Sequence, residues 1–270
     1  MELIKKIEPK QAVAAELDLN KYRIKSTDDI KQDVYIAKIG NTNKFSKGNI
    51  SVWTGAAKSK KTFAMTMLVS SMMGGIDLDG QFYSYAQNKV LWIDTEQSPY
   101  DVQKVVKRLK ELSGKEDNLI MYALRPLSPA QRVEMIDEAL TKHEVDVLII
   151  DGARDLIMDI NDAKESTEIV TRIMKWSYDY NIHVSTVVHQ STAGKVRGHI
   201  GTELENKAES VIKVTRQEDD INVSEIQEVY GRGKGFEPFT FFINGDGMPV
   251  IGTSDFTGFV SAKESEEVPW

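Results

Sequence analysis

The stretch SVWTGAAKSKKTF, residues 51–63, carries the most informative motif of the chain. It begins as a short apolar run, turns at Gly55 and continues into a segment of good helix propensity. A strand, a glycine-led turn and a helix in this order are typical of a loop that binds phosphate through backbone N–H groups. The pattern is G-x-x-x-x-G-K-[ST]. Lys61 and Thr62 close it here, but Lys60 stands where the pattern has its second glycine.

The loop predicts a site for ATP and Mg²⁺, in which Lys61 reaches the β- and γ-phosphates and the Thr62 hydroxyl coordinates the metal. If position 60 needs a positive φ, a residue other than glycine costs about 1–2 kcal/mol there. Lys58 and Lys60 could offset that cost by attracting a triphosphate. The alternative is a basic turn that happens to precede a helix. The candidate nucleotide contacts are Gly55, Ala56, Ala57, Lys58, Ser59, Lys60, Lys61 and Thr62.

Composition bounds the class of protein. The chain has 270 residues, of which 41% are hydrophobic and 28% charged, as in ordinary globular proteins, and no cysteine for disulfides or thiolate metal sites. No apolar run is long enough to cross a bilayer, and the N-terminus lacks a secretory signal, so we expect a cytoplasmic protein without membrane partners. A net charge of −7 argues against a broad basic surface for duplex DNA, although a local basic channel is compatible with it.

Short apolar runs alternate with amphipathic helical patterns from Asn49 onward. Continuous hydrophobicity in these runs predicts strands covered on both faces, as in a parallel sheet. One helix is marked by Ser98 as N-cap, Pro99 at its first position and Gly114 beyond its end. Residues 209–252 instead predict strands joined by turns. The fold class is therefore α/β, a mostly parallel sheet flanked by helices with an antiparallel C-terminal edge. The apolar runs are ISVWTG, KVLWIDTE, NLIMYAL, DVLIIDG and IHVSTVVHQ.

The predicted domain organisation has three parts. Residues 1–45 form a short N-terminal extension or oligomerisation arm, with one short helix in PKQAVAAELDL. Residues 46–255 form the α/β domain. Residues 256–270 form a loose tail.

Polar side chains follow three of the apolar runs. Asp151 ends DVLIID and is a candidate for the Mg²⁺ shell, while Glu96 follows VLWID and could orient or deprotonate an attacking water. His189 and Gln190 follow STVV and could sense a γ-phosphate. Because ligands of such sheets bind at the carboxyl ends of the strands, we expect these groups to meet beside the phosphate loop.

The order of these motifs resembles the RecA/DnaB class of P-loop ATPases over about residues 49–252. It is most similar to RepA-like hexameric helicases and to the AAA_25 ATPases of bacterial plasmids and mobile elements. The resemblance implies a RecA-like core that assembles as a hexameric ring with ATP between subunits. It also implies that residues 55–62 are the Walker A loop and Asp151 the Walker B aspartate. Glu96 is then the catalytic glutamate, and Gln190, or His189 beside it, the polar sensor.

Two basic segments complete the resemblance. In YGRGKGFEPFTFFI, Arg232 and Lys234 match the pair that reaches the γ-phosphate held by the neighbouring subunit. In STAGKVRGHIGTE, a loop that follows the sensor strand, Lys195, Arg197 and His199 suit contacts to single-stranded DNA in a central channel. Solvated basic turns are the alternative in both cases.

Three functions remain open. The first is a ring-forming ATPase, a helicase or compact motor, that acts on DNA with replication or mobilisation proteins of a plasmid or mobile element. The second is a non-hydrolysing nucleotide-binding module that regulates a partner by assembly, with Lys60 as the mark of lost turnover. The third is a small-molecule kinase, which the lack of an arginine-rich lid disfavours. The joint presence of Glu96, Asp151, Gln190 and the Arg232/Lys234 pair favours the first.

Overall fold

A computed structural model describes residues 19–190 and 196–253 of the chain. The chain divides into two compact units, Met1–Gln32 and Asp33–Trp270. Residues 19–32 of the first unit contain a 3-10 turn at Leu19–Tyr22 and a turn in which Lys25 N donates to Asp28 Oδ2. The predicted short helix before Leu19 and the predicted tail after residue 255 lie outside the described residues.

The second unit alternates strands and helices along the chain. Its described helices are α1 (Lys61–Gly74), α2 (Pro99–Ser113), α3 (Pro129–Lys142), α4 (Ala163–Asp179) and α5 (Gly198–Lys207). Its described strands are β1 (Tyr35–Ile39), β2 (Thr42–Ser46), β3 (Ile50–Thr54), β4 (Asp77–Leu78), β5 (Phe82–Ser84), β6 (Val90–Asp94), β7 (Leu119–Ala123), β8 (Val147–Asp151), β9 (His183–Val187), β10 (Ser210–Arg216), β11 (Val223–Gly231), β12 (Phe239–Ile243) and β13 (Pro249–Ile251).

The main sheet confirms the predicted fold class. Within the described residues its strand order is β13-β12-β11-β10-β3-β9-β8-β6-β7. The six strands from β10 to β7 are parallel, and β11, β12 and β13 continue the sheet antiparallel. All five predicted apolar runs are strands of its parallel part. This arrangement is consistent with a RecA-like core.

Helices cover both faces of the main sheet. Residues of α1 and α2 pack with Trp53 in one core cluster, whereas residues of α3, α4 and α5 pack with Val52 in the other. Neighbouring residues of one strand reach opposite clusters because side chains alternate across a sheet. The central strands β3, β6, β8 and β9 are buried at every position, which explains their continuous hydrophobicity.

A second, four-stranded sheet has the order β2-β1-β5-β4. Ile36, Ile39 and Phe45 from its strands are buried in the same cluster as Trp53 of the main sheet. β1 and β2 are therefore part of the larger unit. The predicted boundary between residues 45 and 46 falls inside that unit, before the last residue of β2.

The helix α2 shows why local signals succeeded. The Ser98 side chain accepts a hydrogen bond from Asp101 N, Pro99 begins the helix, and Gly114 ends it in the left-handed conformation. Each residue has the conformation that its type favours at that place. The predicted limits of this helix are confirmed.

A buried polar cluster lies at the amino end of β3 and β9. The His183 ring is inaccessible to solvent, with Nδ1 2.9 Å from Ser46 O and Nε2 2.8 Å from Ser51 Oγ. A carbonyl only accepts, so Nδ1 carries a proton, and in the neutral ring that burial favours Nε2 accepts from Ser51. Burial lowers the pKa of His183 below its ordinary value of 6.5.

This burial predicts a pH-dependent stability. The unfolded chain takes up a proton at His183 more readily than the folded chain, so the stability is complete above pH 6.5 and is lost as the pH falls below that value. We expect the free energy of unfolding in urea to fall more steeply from about pH 7 to about pH 5 in the wild type than in His183→Asn. The control His143→Asn removes a half-buried histidine and should keep the wild-type slope. Equal slopes for His183→Asn and the wild type would contradict the assignment.

Candidate active site

The loop between β3 and α1 has the strained backbone that its motif demands. Gly55 has φ +150°, and a Cβ there would lie 2.3 Å from Val214 O of the neighbouring strand β10, so only glycine fits. Lys60 has φ 68° and ψ 30°, in the left-handed region. Position 60 does need a positive φ, and a lysine occupies it at a cost of about 1–2 kcal/mol.

The Lys60 side chain is tied to the antiparallel edge of the sheet. Its Nζ donates to Ile221 O at 2.6 Å, in the turn between β10 and β11. Burial and the nearby Arg216 lower the pKa of Lys60. A hydrogen bond of this kind contributes about 0.5–1.5 kcal/mol, comparable to the cost of the backbone conformation. The tether therefore offsets the missing glycine.

Lys61 lies at the start of α1 and is buried, with 5% of its surface exposed. Its Nζ donates to Gly55 O at 3.0 Å and to Ala56 O at 2.9 Å, so the ammonium closes the loop on itself. Burial lowers the pKa of Lys61 to about 8, against the opposing effect of Asp151 and Glu96. The group still carries its charge at neutral pH and lies where the motif requires a cation.

Asp151 and Thr62 place two oxygen ligands side by side. Thr62 Oγ1 donates to Asp151 Oδ2 at 3.1 Å. Burial, together with Asp94 and Glu96 nearby, raises the pKa of Asp151 to about 7. The described part of the chain holds no group of three acidic or histidine side chains that could bind a metal by itself. The pair fits Mg²⁺, which usually takes one or two carboxylates and completes its shell with water and phosphate oxygens of the substrate.

Glu96 is held over the cavity by a turn that Asp94 organises. Asp94 Oδ1 accepts from the backbone N–H groups of Glu96 and Gln97 at 3.0 and 2.7 Å. Thr95 between them donates to Asp151 O at 3.0 Å and so ties the end of β6 to the end of β8. Neither Asp94 nor Thr95 was among the predicted site residues. The backbone-capping preference of aspartate is the signal that could have identified the first.

His189 bridges the cation and the catalytic-glutamate candidate. Its Nδ1 is 3.2 Å from Lys61 Nζ, and its Nε2 is 3.0 Å from Glu96 Oε1. Because Lys61 only donates, Nδ1 accepts and Nε2 carries the proton toward Glu96. The hydrogen bond from His189 lowers the pKa of Glu96 against the opposing effect of burial.

Gln190 lies on the other side of the loop. Its backbone N donates to Gly55 O at 3.0 Å, and its side chain lines a separate cavity of about 370 Å³ together with Lys213 and Arg216. Of the two sensor candidates, the structure places His189, not Gln190, among the groups that face Glu96 and Asp151.

The remaining candidates lie away from this cavity. Arg232 N donates to Glu209 O beside the amino end of β10, whereas the phosphate loop lies at the carboxyl end of that strand. Arg232 and Lys234 are exposed and do not line the cavity of their own chain. Arg197 and His199 are exposed at the start of α5. Lys195 lies outside the described residues.

The cavity itself has a volume of about 500 Å³. It extends from the acidic groups to α2, where the Arg108 guanidinium lies 4.1 Å above the ring of Phe63. None of the predicted site residues lies at this end of the cavity. Its lining residues are Lys58, Ser59, Lys60, Lys61, Thr62, Phe63, Glu96, Gln97, Asp101, Lys104, Val105, Arg108, Asp151 and His189.

The tether of Lys60 can be separated from its backbone cost. Lys60→Met keeps the strained backbone but loses the hydrogen bond to Ile221, whereas Lys60→Gly also relieves the strain. We expect Lys60→Met to be less stable than Lys60→Gly by about 1 kcal/mol in the free energy of unfolding, measured in urea. The matched pair Lys58→Met and Lys58→Gly, also at positive φ, gives the strain contribution without a tether. A wild-type stability for Lys60→Met would exclude the tether as a stabilising contact.

None of the described helices combines the length and the apolar character that a bilayer span requires. No curated protein matches the chain. A family model described as an AAA domain, AAA_25, matches residues 34–195, which is more than half of the chain. The matched range includes the phosphate loop, Glu96, Asp151 and His189. The chain belongs to the AAA_25 family of P-loop ATPases.

Proposed function

We propose that this protein is a ring-forming ATPase that acts on DNA in the replication or mobilisation of a plasmid or mobile element, in the cytoplasm. One observation carries the proposal. Lys61, Glu96 and Asp151 come from three separated segments and face the same cavity. A cation for the phosphates, a carboxylate for the metal and a carboxylate for the attacking water are the groups that hydrolysis of a nucleoside triphosphate requires.

Each group has a role that its contacts support. Lys61 moves its ammonium from Gly55 O and Ala56 O to the phosphates, and the N–H groups of the loop bind the same anion. Thr62 and Asp151 hold Mg²⁺, which neutralises charge on the phosphates when bound. Glu96 orients the attacking water and accepts its proton, and its lowered pKa keeps it ionised for that role.

The nucleoside part of ATP is proposed to lie at the α2 end of the cavity. There Arg108 stacks on Phe63 and its Nε donates to Gly247 O at 3.2 Å, so its guanidinium is held in one plane. A fixed guanidinium plane is a platform on which a nucleobase can stack. The phosphates then lie at the acidic end of the cavity and the base at its α2 end.

We propose a ring because Arg232 and Lys234 do not line the cavity of their own chain. Arg232 and Lys234 are exposed at the opposite end of β10, where only a second copy could present them to a nucleotide. An arginine supplied by a neighbour accelerates hydrolysis by about 10³–10⁵ where it is used. We propose a hexamer, in which the residues preceding Asp33 serve as an assembly arm. We propose that Arg197 and His199 then contact single-stranded DNA; Lys195, for which the sequence predicts the same, lies outside the described residues.

The test of this function is the rate of ATP hydrolysis with and without a single-stranded oligonucleotide. We expect hydrolysis that DNA accelerates and that Lys61→Ala abolishes. Lys142→Ala, a substitution of a surface lysine on α3, is the matched control and should keep the wild-type rate.

The alternative outcome is equally specific. ATP binding without hydrolysis above that of Lys61→Ala would exclude the motor and support the non-hydrolysing module. Hydrolysis that ignores DNA would leave the ATPase and exclude DNA as its activator.

Glu96→Gln separates binding from turnover. The amide keeps the shape of the side chain but cannot accept the proton of the water, so we expect kcat to fall by about 10²-fold or more. The Kd for ATP, measured by titration of a fluorescent analogue, should stay within about threefold because Lys61 and the loop are intact. Glu116→Gln, on the surface beside Lys110, controls for the loss of one charge. A normal kcat in Glu96→Gln would remove Glu96 from the reaction.

A further inference from the structure

A buried ion pair lies outside the cavity of the phosphate loop, beside the amino end of β10. Lys44 Nζ is 2.6 Å from Glu228 Oε1, and the two side chains are 5% and 7% exposed. Taking two charges out of water is costly, and the attraction between them repays the cost only with further hydrogen bonds. No group of the proposed catalytic cavity contacts this pair, so its contacts indicate another role.

The ion pair holds the basic turn, residues 231–235. Lys44 Nζ donates to Lys234 O at 3.0 Å, so one ammonium joins the turn to Glu228. Thr42, two residues earlier, donates through Oγ1 to Gly235 O at 3.0 Å. Glu228 also accepts from Ser210 Oγ at 2.8 Å, and this bond fixes the carboxylate to β10.

The same turn is fixed on its other sides. Arg232 N donates to Glu209 O, and Arg232 Nη2 donates to Lys207 O, the last residue of α5, both at 3.0 Å. A Cβ on Gly231 would lie 2.3 Å from Glu228 Oε1, so the chain runs directly over the carboxylate. Phe236 buries its ring immediately after the turn. The backbone is therefore held at both ends while the side chains of Arg232 and Lys234 stay exposed.

We propose that Lys44, Thr42 and Glu228 are positioning residues, which hold this turn so that Arg232 and Lys234 reach the nucleotide bound by a neighbouring copy. The inference rests on the proposed function. A group that acts across an interface must be placed to within about 0.5 Å, and an exposed turn of three glycines and two basic residues has little rigidity of its own. β2 therefore has a role in the reaction although it contributes nothing to the cavity.

The experiment combines two damaged chains. Lys44→Met alone should lower kcat for ATP about tenfold or more, with the KM changed less than about threefold, because its own cavity is intact. Mixed in equal amounts with Lys61→Ala, it should regain activity. In the mixed ring, a Lys44→Met chain whose neighbour is a Lys61→Ala chain has an intact cavity and receives an intact basic turn. Random mixing of the subunits produces this arrangement at about a quarter of the interfaces.

The controls cover folding and chain mixing. Thr42→Val keeps the side-chain volume and should show a smaller loss of the same kind. Lys47→Met removes a neighbouring but more exposed ion pair, Lys47 with Asp146 at 2.7 Å, which does not touch the turn, and should keep the wild-type rate. Arg232→Ala mixed with Lys61→Ala should regain activity as Lys44→Met does.

Each contrary result has a distinct meaning. A normal kcat in Lys44→Met overturns the inference. No recovery with Lys61→Ala, while Arg232→Ala does recover, also overturns it, because the substitution then damages its own cavity. No recovery for Arg232→Ala overturns both the action between subunits and the role of Lys44. Inactivity of the wild type would overturn the proposed function itself, and the inference with it.

Discussion

The structure depends on the register of four parallel strands. Pairing places Asp94 of β6 opposite Asp151 of β8, Asp151 opposite Val187 of β9, and Val187 opposite Trp53 of β3. Three of these residues are the last of their strands, and the chain leaves the sheet at one level from all four. Glu96, His189 and the phosphate loop follow within three residues. A slip of one position in any strand would turn its terminal side chain to the other face.

The same convergence concentrates charge in a buried place. Burial raises the pKa values of Asp94 and Asp151. Keeping both groups ionised therefore costs free energy, which other contacts of the fold must offset. Lys61 is their nearby cation, yet burial lowers its pKa as well. A site of this kind is less stable empty than a packed apolar core would be. Charged ligands that bind to it add the interactions that the empty site lacks.

Sequence alone predicted the features that depend on neighbouring residues. The buried strands showed as continuous apolar runs, and α2 showed through Ser98, Pro99 and Gly114, because these signals act within a few positions. The long-range features escaped. Lys44 appears in the sequence as a surface residue of a polar stretch, and only its contact with Glu228, distant in sequence, makes it a buried one. β1 and β2 were assigned to an extension for the same reason.

The sequence left His189 and Gln190 as alternative sensor residues for a different reason. His189 and Gln190 are adjacent, and both are polar groups at the end of one strand. Successive side chains there point to opposite sides, so the choice between them depends on which side the phosphate loop closes. His189 is the one of the two that contacts Lys61 and Glu96, and no local pattern contains those contacts.

The tether from Lys60 to Ile221 has a consequence for how successive sites communicate. Ile221 precedes β11, a strand of nine residues that ends at Gly231, where the basic turn begins. At about 3.3 Å per residue this strand is about 30 Å long, and its pairing with β10 has one irregularity of register, beside Glu228. One end of the strand is joined to the phosphate loop through the Lys60–Ile221 hydrogen bond, and the other end leads into the turn that contains Arg232. In the proposed ring, β11 therefore connects the phosphate loop of one site to the basic turn offered to the next subunit, so the two share one strand.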